Sequence, residues 1–404
     1  MRTRFTWILG VAVLISIGVL VACSTKYSSS NNGLVVVSTQ GNANMETFSL
    51  DLVNGNVAQI NNANGPPTNG QPTTVILNPT GTYAYVMVTQ SSIVNDSATG
   101  IEVFPVASDG KLGSGTTTTL KGGVTPVAMV IDSAGKFLFV ADSSPAAISV
   151  LAIGSDGGLT EVSGSPFAVA ELPGGATRNA IPSPSALAVS PTVYPSAYAV
   201  CSGNVPPTTE HLYVTDSTNY AVLNYSVSSA GALTAVSESA TGSVPSGVTV
   251  DPCNRFVYVS NSQPDNTVSA FTICNAVLLP TCPNADYSLL PVSGSPFAAG
   301  NSPGPLMMDA YAGFLYVIDR GQNAISSFRV STTTGSLTVL NPTPVATNSY
   351  PTSMAIRSDD SWLFVTNLNS ANLSEYAITP ATGALTPQPP VQINDSFPWG
   401  VAVK

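Results

Sequence analysis

Residues 398–404 read PWGVAVK, and the chain stops there. The stretch has the form proline, two residues, apolar, any, apolar, polar. Six earlier stretches have the same form: PTTVILN from Pro72, PVAMVID from Pro126, PSALAVS from Pro184, PSGVTVD from Pro245, PGPLMMD from Pro303 and PTSMAIR from Pro351. Consecutive prolines are 54, 58, 61, 58, 48 and 47 residues apart. A period near 50 is the mark of a repeat architecture. The residues downstream of each of the first six stretches decide which architecture it is.

A second apolar strand comes next, carrying an aromatic–valine pair: Tyr85-Val86, Phe139-Val140, Tyr213-Val214, Tyr258-Val259, Tyr316-Val317 and Phe364-Val365. A third alternates in IEVFPV, ISVLAI, VLNYSV, VSAFTI, ISSFRV and LSEYAI. Turns such as GGLT at 157 and GALT at 231 and 383 announce a fourth. Four short antiparallel strands per unit make a propeller blade. The fold expected is therefore all-β, with seven blades over residues 33–404. PWGVAVK has no second strand after it. LVVVSTQ at 34–40 and NMETFSL at 44–50 are a second and third strand with no first. The C-terminal strand is expected to join them, closing the ring and leaving no inner edge unpaired.

The first 22 residues have another character. Arg2 and Arg4 precede an apolar run from Trp7 to Val21. This is the pattern of an export signal, and it is marginal in length for a membrane span. Leu20-Val21-Ala22-Cys23 resembles a bacterial lipobox, which implies lipidation at Cys23 and a membrane held through that lipid. An ordinary cleaved signal or an uncleaved anchor are the alternatives. Residues 23–32, rich in Ser and Asn, read as a flexible tether. An exported protein lies where disulfides form. The strand assignment puts Cys201 and Cys253 in first-to-second connections of neighbouring blades, while Cys274 and Cys282 bracket one third-to-fourth insertion. The expected pairs are Cys201–Cys253 and Cys274–Cys282.

Charged residues are 8% of the chain and the net charge is −10. Nucleic acid, which needs clustered Lys and Arg, is not an expected partner. With one histidine and no CxxC spacing, no metal site is expected. No phosphate loop, dinucleotide fingerprint or GxSxG elbow suggests a cofactor or a serine nucleophile. A monomer is expected.

Repetition separates scaffold from site, because a feature shared by most blades is structural. Two residues before each aromatic–valine aromatic stand Tyr83, Phe137, His211, Phe256, Phe314 and Trp362. The lone histidine thus fills an aromatic slot on the same strand face as Tyr213, and reads as packing between blades. Asp142, Asp216, Asn261, Asp319 and Asn367 recur three residues after the aromatic and read as turn stabilisers. Four residues break the symmetry in blades six, seven and one. Arg320 lies in IDRGQN, Tyr350 and Phe397 precede prolines, and Trp399 follows one. Aromatic faces with one cation suit a sugar-like or anionic ligand at the top of the channel. Packing at the closure seam is the alternative. Glu171 and Arg178 in ELPGGATRN form a second candidate on the same face.

FVYVSNS, HLYVTDS and LFVTNL resemble the YVTN-type repeats of bacterial surface propellers. VSGSPFA (162–168 and 292–298) and GALT resemble the seven-bladed lactonase family, which includes 6-phosphogluconolactonase-like proteins. The resemblance covers residues 33–404 and implies a lactone hydrolase. The family's histidine, arginine and glutamate positions find no residue-by-residue match here. Three functions are therefore in view. The first is a lipid-anchored, extracytoplasmic propeller that binds a carbohydrate, lactone or envelope protein. The second is a lactonase-like hydrolase acting on a sugar or other lactone. The third is a structural repeat with no small-molecule site.

Overall fold

The computed structural model describes residues 32–60, 65–90, 99–169, 180–192, 201, 209–275 and 287–404. These form seven antiparallel sheets arranged as the blades of a propeller. Their inner strands are Pro398–Val403 (blade 1), Gln71–Leu77, Pro126–Ile131, Pro184–Val189, Pro245–Val250, Pro303–Met308 and Pro351–Ile356 (blade 7). Six begin at the repeated proline and one at the residue before it. Proline suits the first position of an inner strand, where its missing N–H costs the ladder least. Among the described residues the only helical conformation is 3-10, in the turn Lys121–Gly123 and at Cys201. None of their helices is long and apolar enough to cross a membrane. The apolar run at 7–21 and the lipobox cysteine Cys23 lie outside the described residues.

Ring closure is as expected. Blade 1 has the order Val57–Gln59, Asn44–Asp51, Asn32–Thr39, Pro398–Val403. Val35, Val36 and Val37 pair with Val403, Ala402 and Val401. A polar clasp holds the incoming chain. Asp395 accepts hydrogen bonds from Thr39 Oγ1 at 2.8 Å, Asn42 N at 3.0 Å and Asn42 Nδ2 at 2.8 Å. Glu46 in turn accepts the backbone N–H of Asp395 at 2.8 Å.

Blades meet face to face, so both faces of the middle strands are buried. This is why stretches such as FVYV read as near-continuous apolar runs rather than alternating ones. Seven buried apolar clusters result, one at each joint. Between blades 5 and 6, for example, Phe256, Tyr258 and Val268 face Leu306, Leu315, Val317 and Phe328. Each fully buried side chain of this size contributes about 1.5–3 kcal/mol.

Three sequence motifs combine into one device at the joints. Gly157, Gly335 and Gly383, from the GxLT turns, hold positive φ of 76°, 73° and 71°. The aromatic of the preceding blade's second strand covers each one: a Cβ on these glycines would meet Tyr83 at 2.4 Å, Phe256 at 2.5 Å and Phe314 at 2.3 Å. The aromatic–valine tyrosine then donates to the same glycine's carbonyl. Tyr85 reaches Gly157 at 3.1 Å, Tyr258 reaches Gly335 at 3.0 Å and Tyr316 reaches Gly383 at 3.0 Å.

The repeated Asp/Asn slot is partly a correction. Asp216 does cap its turn, accepting the N–H groups of Ser183, Thr218 and Asn219. Asp142 and Asp319 are instead fully buried and accept the hydroxyls of Ser149 and Ser326 on the adjacent strand, at 2.8 and 2.6 Å. Asn367 does the same by donating to Ser374. Burial outweighs these bonds and pushes the carboxyl of Asp142 up to about 7 and that of Asp319 up to about 6.

Cys201 and Cys253 form a disulfide with Cα atoms 5.2 Å apart. It links the blade 4 insertion to the blade 5 turn and packs against Met308 and Ala312 of blade 6. Cys274 is disulfide-bonded and buried, while Cys282 lies outside the described residues.

Candidate functional site

The face carrying the entries to inner strands and the second-to-third-strand turns is called the top. Around it, hydroxyls on one blade bond to backbone carbonyls of the next. Ser185 Oγ donates to Pro245 O and Ser246 Oγ to Pro303 O, both at 2.7 Å. Ser260 Oγ donates to Gly304 O at 2.6 Å, and Ser38 Oγ to Thr73 O. Thr352 Oγ1 and Thr366 Oγ1 both donate to Trp399 O at 2.8 Å. The donors occupy two repeat positions, the residue after the inner-strand proline and the residue two after the second-strand aromatic.

In blade 6 both positions lack a hydroxyl, for they hold Gly304 and Ile318; the same is true of blade 3, which holds Val127 and Ala141. In blade 6 Arg320 makes the link instead. Its Nη2 donates to Thr352 O in blade 7 at 3.3 Å. Gln40, in the equivalent slot of blade 1, reaches Pro72 O at 3.2 Å in the same way. The guanidinium lies over Gly304, whose missing Cβ would sit 3.0 Å from Nε and 3.1 Å from Cζ. Any other residue at 304 would have to move the arginine. Gly304 thus opens a notch in the ring of inner strands, and Arg320 fills it.

Among the described residues no carboxylate compensates the charge there. Arg320 is half-buried, its Nε is buried without a hydrogen-bond partner, and burial lowers its pKa. A desolvated cation without a counter-charge is costly. The side chain of Asp319, next in sequence, accepts from Ser326 and Gln322 through Oδ2, while its Oδ1 is buried without a hydrogen-bond partner.

Tyr350 stands close enough to the guanidinium of Arg320 to interact with it electrostatically. Tyr350 and Phe397 are 46% and 49% exposed. Both have left-handed backbone, φ 59° and 58°, as do Val244 and Ser302 in the same slot. This conformation is unfavourable for a bulky residue, and here it turns the chain into the inner strand with the side chain on the rim. Trp399 is half-buried, and its carbonyl is fixed by two threonines. Of the four symmetry-breaking residues, the structure brings Arg320 and Tyr350 together around Thr352, and Thr352 joins them to Trp399. Phe397 sits on the next rim position, where its carbonyl accepts from Gln40 N. Glu171 and Arg178 lie outside the described residues. The sequence reading missed the Gly304 notch and the hydroxyl ring. The available signal was the lone glycine after a repeat proline.

His211 is not part of this site. It is buried at the joint of blades 4 and 5, as its aromatic slot implied. The SGSPF turns are structural too: Ser165 Oγ accepts Val150 N at 3.0 Å and Ser295 Oγ accepts Ala270 N at 2.9 Å.

The sequence matches the family model described as "Lactonase, 7-bladed beta-propeller" over residues 34–179 and 284–396. The chain belongs to this family. A 6-phosphogluconolactonase candidate from Bacteroides fragilis superposes on this propeller with a TM-score of 0.70 at 19% identity, covering 93% of this chain and 99% of that one. A periplasmic gluconolactonase from Pseudomonas aeruginosa gives a TM-score of 0.68 at 18% identity, covering 92% and 98%. A 6-phosphogluconolactonase candidate from Bacteroides uniformis gives 0.69 at 17%, covering 93% and 100%. At such identities the likeness is one of fold. Among curated proteins none matches.

Proposed function

We propose that this lactonase-family propeller is an exported protein, lipid-anchored through Cys23, that binds a small anionic, sugar-like ligand at the top of its channel. The observation that carries this reading is the guanidinium of Arg320, half-buried over Gly304 with no carboxylate paired to it among the described residues. Tyr350, Phe397 and Trp399 would offer aromatic faces to a sugar ring, a role suited to their flat, partly apolar surfaces. The Cys201–Cys253 disulfide and the periplasmic relative support an extracytoplasmic setting.

The test is a thermal-shift and calorimetric screen of acidic and neutral sugars against the native chain, Arg320→Gln and Trp399→Ala. Binding of an acidic sugar that is lost in Arg320→Gln and weakened in Trp399→Ala supports the reading. Acidic sugars that fail to bind, or bind all three proteins alike, refute it.

Family membership favours a second reading, lactone hydrolysis. That would need a base to activate water and donors for an oxyanion. Arg320 could serve as a donor. Turnover of simple sugar lactones by the native chain, abolished in Arg320→Gln, would support hydrolysis over binding alone.

A further inference from the structure

The upper part of blade 3 departs from the other blades, at a distance around the ring from Arg320. In blades 1, 2 and 5 a buried polar side chain takes the N–H three residues before the inner-strand proline. Asp395 N donates to Glu46 at 2.8 Å, Asn69 N to Glu102 at 2.5 Å and Gly242 N to Asn261 at 3.1 Å. In blade 3 that residue is Gly123, which with Gly122 has left-handed backbone, φ 65° and 77°. Gly123 is exposed, and a Cβ on it would meet nothing within 4 Å. Asp142, in the slot of Asn261, is fully buried. Its Oδ2 accepts from the N–H and hydroxyl of Ser149, while its Oδ1 has no hydrogen-bond partner.

A second carboxyl stands beside the first. Glu161, on the fourth strand opposite Leu151, is close enough to Asp142 to interact with it electrostatically. The same register position holds Gln59, Ala235, Pro291, Val339 and Pro387 in blades 1, 4, 5, 6 and 7. Blade 1 has a neutral solution there, for Gln59 donates to Glu46 at 2.9 Å. In blade 3 acid meets acid. Only 3% of the Glu161 side chain is exposed. Its Oε1 accepts Lys121 N at 2.6 Å, whereas Oε2 is buried without a hydrogen-bond partner. The Lys121 ammonium lies 3.7 Å from Oε2, beyond hydrogen-bond reach, on a side chain that is 67% exposed. Two neighbouring buried carboxyls thus each keep one oxygen unsatisfied among the described residues. Buried charges are as a rule paired or coordinate metals, and a purely oxygen donor set selects a hard cation.

We propose that Asp142 Oδ1 and Glu161 Oε2 are ligands of a calcium ion bound beside the Lys121–Gly123 turn of blade 3. The ion supplies the counter-charge that the two acids lack, and water completes the oxygen shell. Calcium tolerates the irregular geometry that two separate strands impose, where magnesium demands a near-ideal octahedron. With only two protein carboxylates the affinity falls in the range of extracellular calcium modules, roughly 10⁻⁴–10⁻³ M. No ligand spacing in the sequence announces this pair, because its members come from different strands of the sheet. The site is separate from the one proposed at Arg320 and does not depend on it.

The experiment is calorimetric titration of the full chain, stripped with a chelator and exchanged into chelator-free buffer, with calcium chloride and separately with magnesium chloride. The variants borrow residues that other blades carry at these positions: Asp142→Asn, as at Asn261 and Asn367, and Glu161→Gln, as at Gln59. Circular dichroism melts establish that each is folded. The native chain is expected to bind one calcium and to melt at a higher temperature in its presence. Each variant should weaken calcium about tenfold or more. Lys121→Met removes a competing ammonium and should bind calcium at least as tightly as the native chain. Magnesium should bind the native chain at least about tenfold more weakly than calcium. A native chain that binds no calcium overturns the proposal, as does calcium binding that neither Asp142→Asn nor Glu161→Gln weakens. Equal binding of the two ions marks general attraction to an acidic protein and overturns it too.

Discussion

The imidazole of His211 lies flat on the ring of Tyr287, centroids 4.2 Å apart and planes 23° from parallel, across the joint of blades 4 and 5. At other joints an aromatic covers a turn glycine. Here the turn is replaced by an insertion, and Tyr287 takes the glycine's place with φ 59°. Asn224 fixes the tautomer. Its Nδ2 donates to Tyr287 O at 2.7 Å, so its Oδ1 accepts from His211 Nδ1 at 2.9 Å. The proton therefore sits on Nδ1, leaving Nε2 a buried lone pair without a partner.

Burial lowers the pKa of His211 from 6.5, more strongly than the Asn224 bond raises it. The unfolded chain therefore takes up this proton first as pH falls. The contribution of the neutral imidazole is present above about pH 6.5 and is lost as pH falls through the depressed folded value. His211→Phe restores the repeat's usual aromatic and should remove this acid-side loss. Urea midpoints of the two proteins between about pH 7 and pH 5 are the check; parallel curves would contradict it.

Buried carboxyls act in the opposite sense. Burial pushes Asp142, Asp309 and Glu375 up to about 7 and Glu210 up to about 8. Each holds its proton in the folded chain after the unfolded chain has released it. The stability they contribute is complete below about pH 4 and is lost as pH rises through about 6–8. In the His211→Phe background, where the opposing group is gone, the urea midpoint should fall steadily from about pH 5 to pH 9. A flat profile would show that these carboxyls are ionised in the fold.

The tyrosine ladder contains its own control. Tyr258 and Tyr316 donate to turn carbonyls, whereas the hydroxyl of Tyr213 is buried without a partner. Tyr258→Phe should cost about 1 kcal/mol by leaving Gly335 O unsatisfied, while Tyr213→Phe should be neutral or stabilising. Denaturant titrations of the two variants give the comparison.

Replacing both Cys201 and Cys253 by serine opens a link spanning 52 residues and should cost about 2–5 kcal/mol. Calorimetry in oxidising and reducing buffer checks this. The native chain should approach the variant only when reduced.

Much of this molecule is readable from its repeat. Strand order, the closing role of PWGVAVK, the aromatic slot of His211 and the Cys201–Cys253 pair all emerge from aligning seven units. Such features depend on local pattern and on topology, which the repeat multiplies. The contacts between blades are harder to read. Nothing local to Arg320 says that its nitrogen replaces a hydroxyl at the neighbouring joint, because the partner, Thr352 O, lies 32 residues away on another blade. Asp142 and Asp319 misled for a related reason. Their side chain fits a turn cap equally well in sequence, and only the serine across the sheet decides between cap and buried strand residue. Glu46 and Asp395 stand at opposite ends of the chain, so the clasp at ring closure has no sequence signature.

The closing pair of strands also sets a direction. Asn32 begins a second strand, which runs from the bottom face upward, and Lys404 ends the inner strand beside it, with Leu34 and Lys404 exchanging backbone hydrogen bonds. Asn32 and Lys404 therefore both lie on the side opposite Arg320. The face that carries the inner-strand entries, with Tyr350 and Phe397 on its rim, is clear of both of these positions.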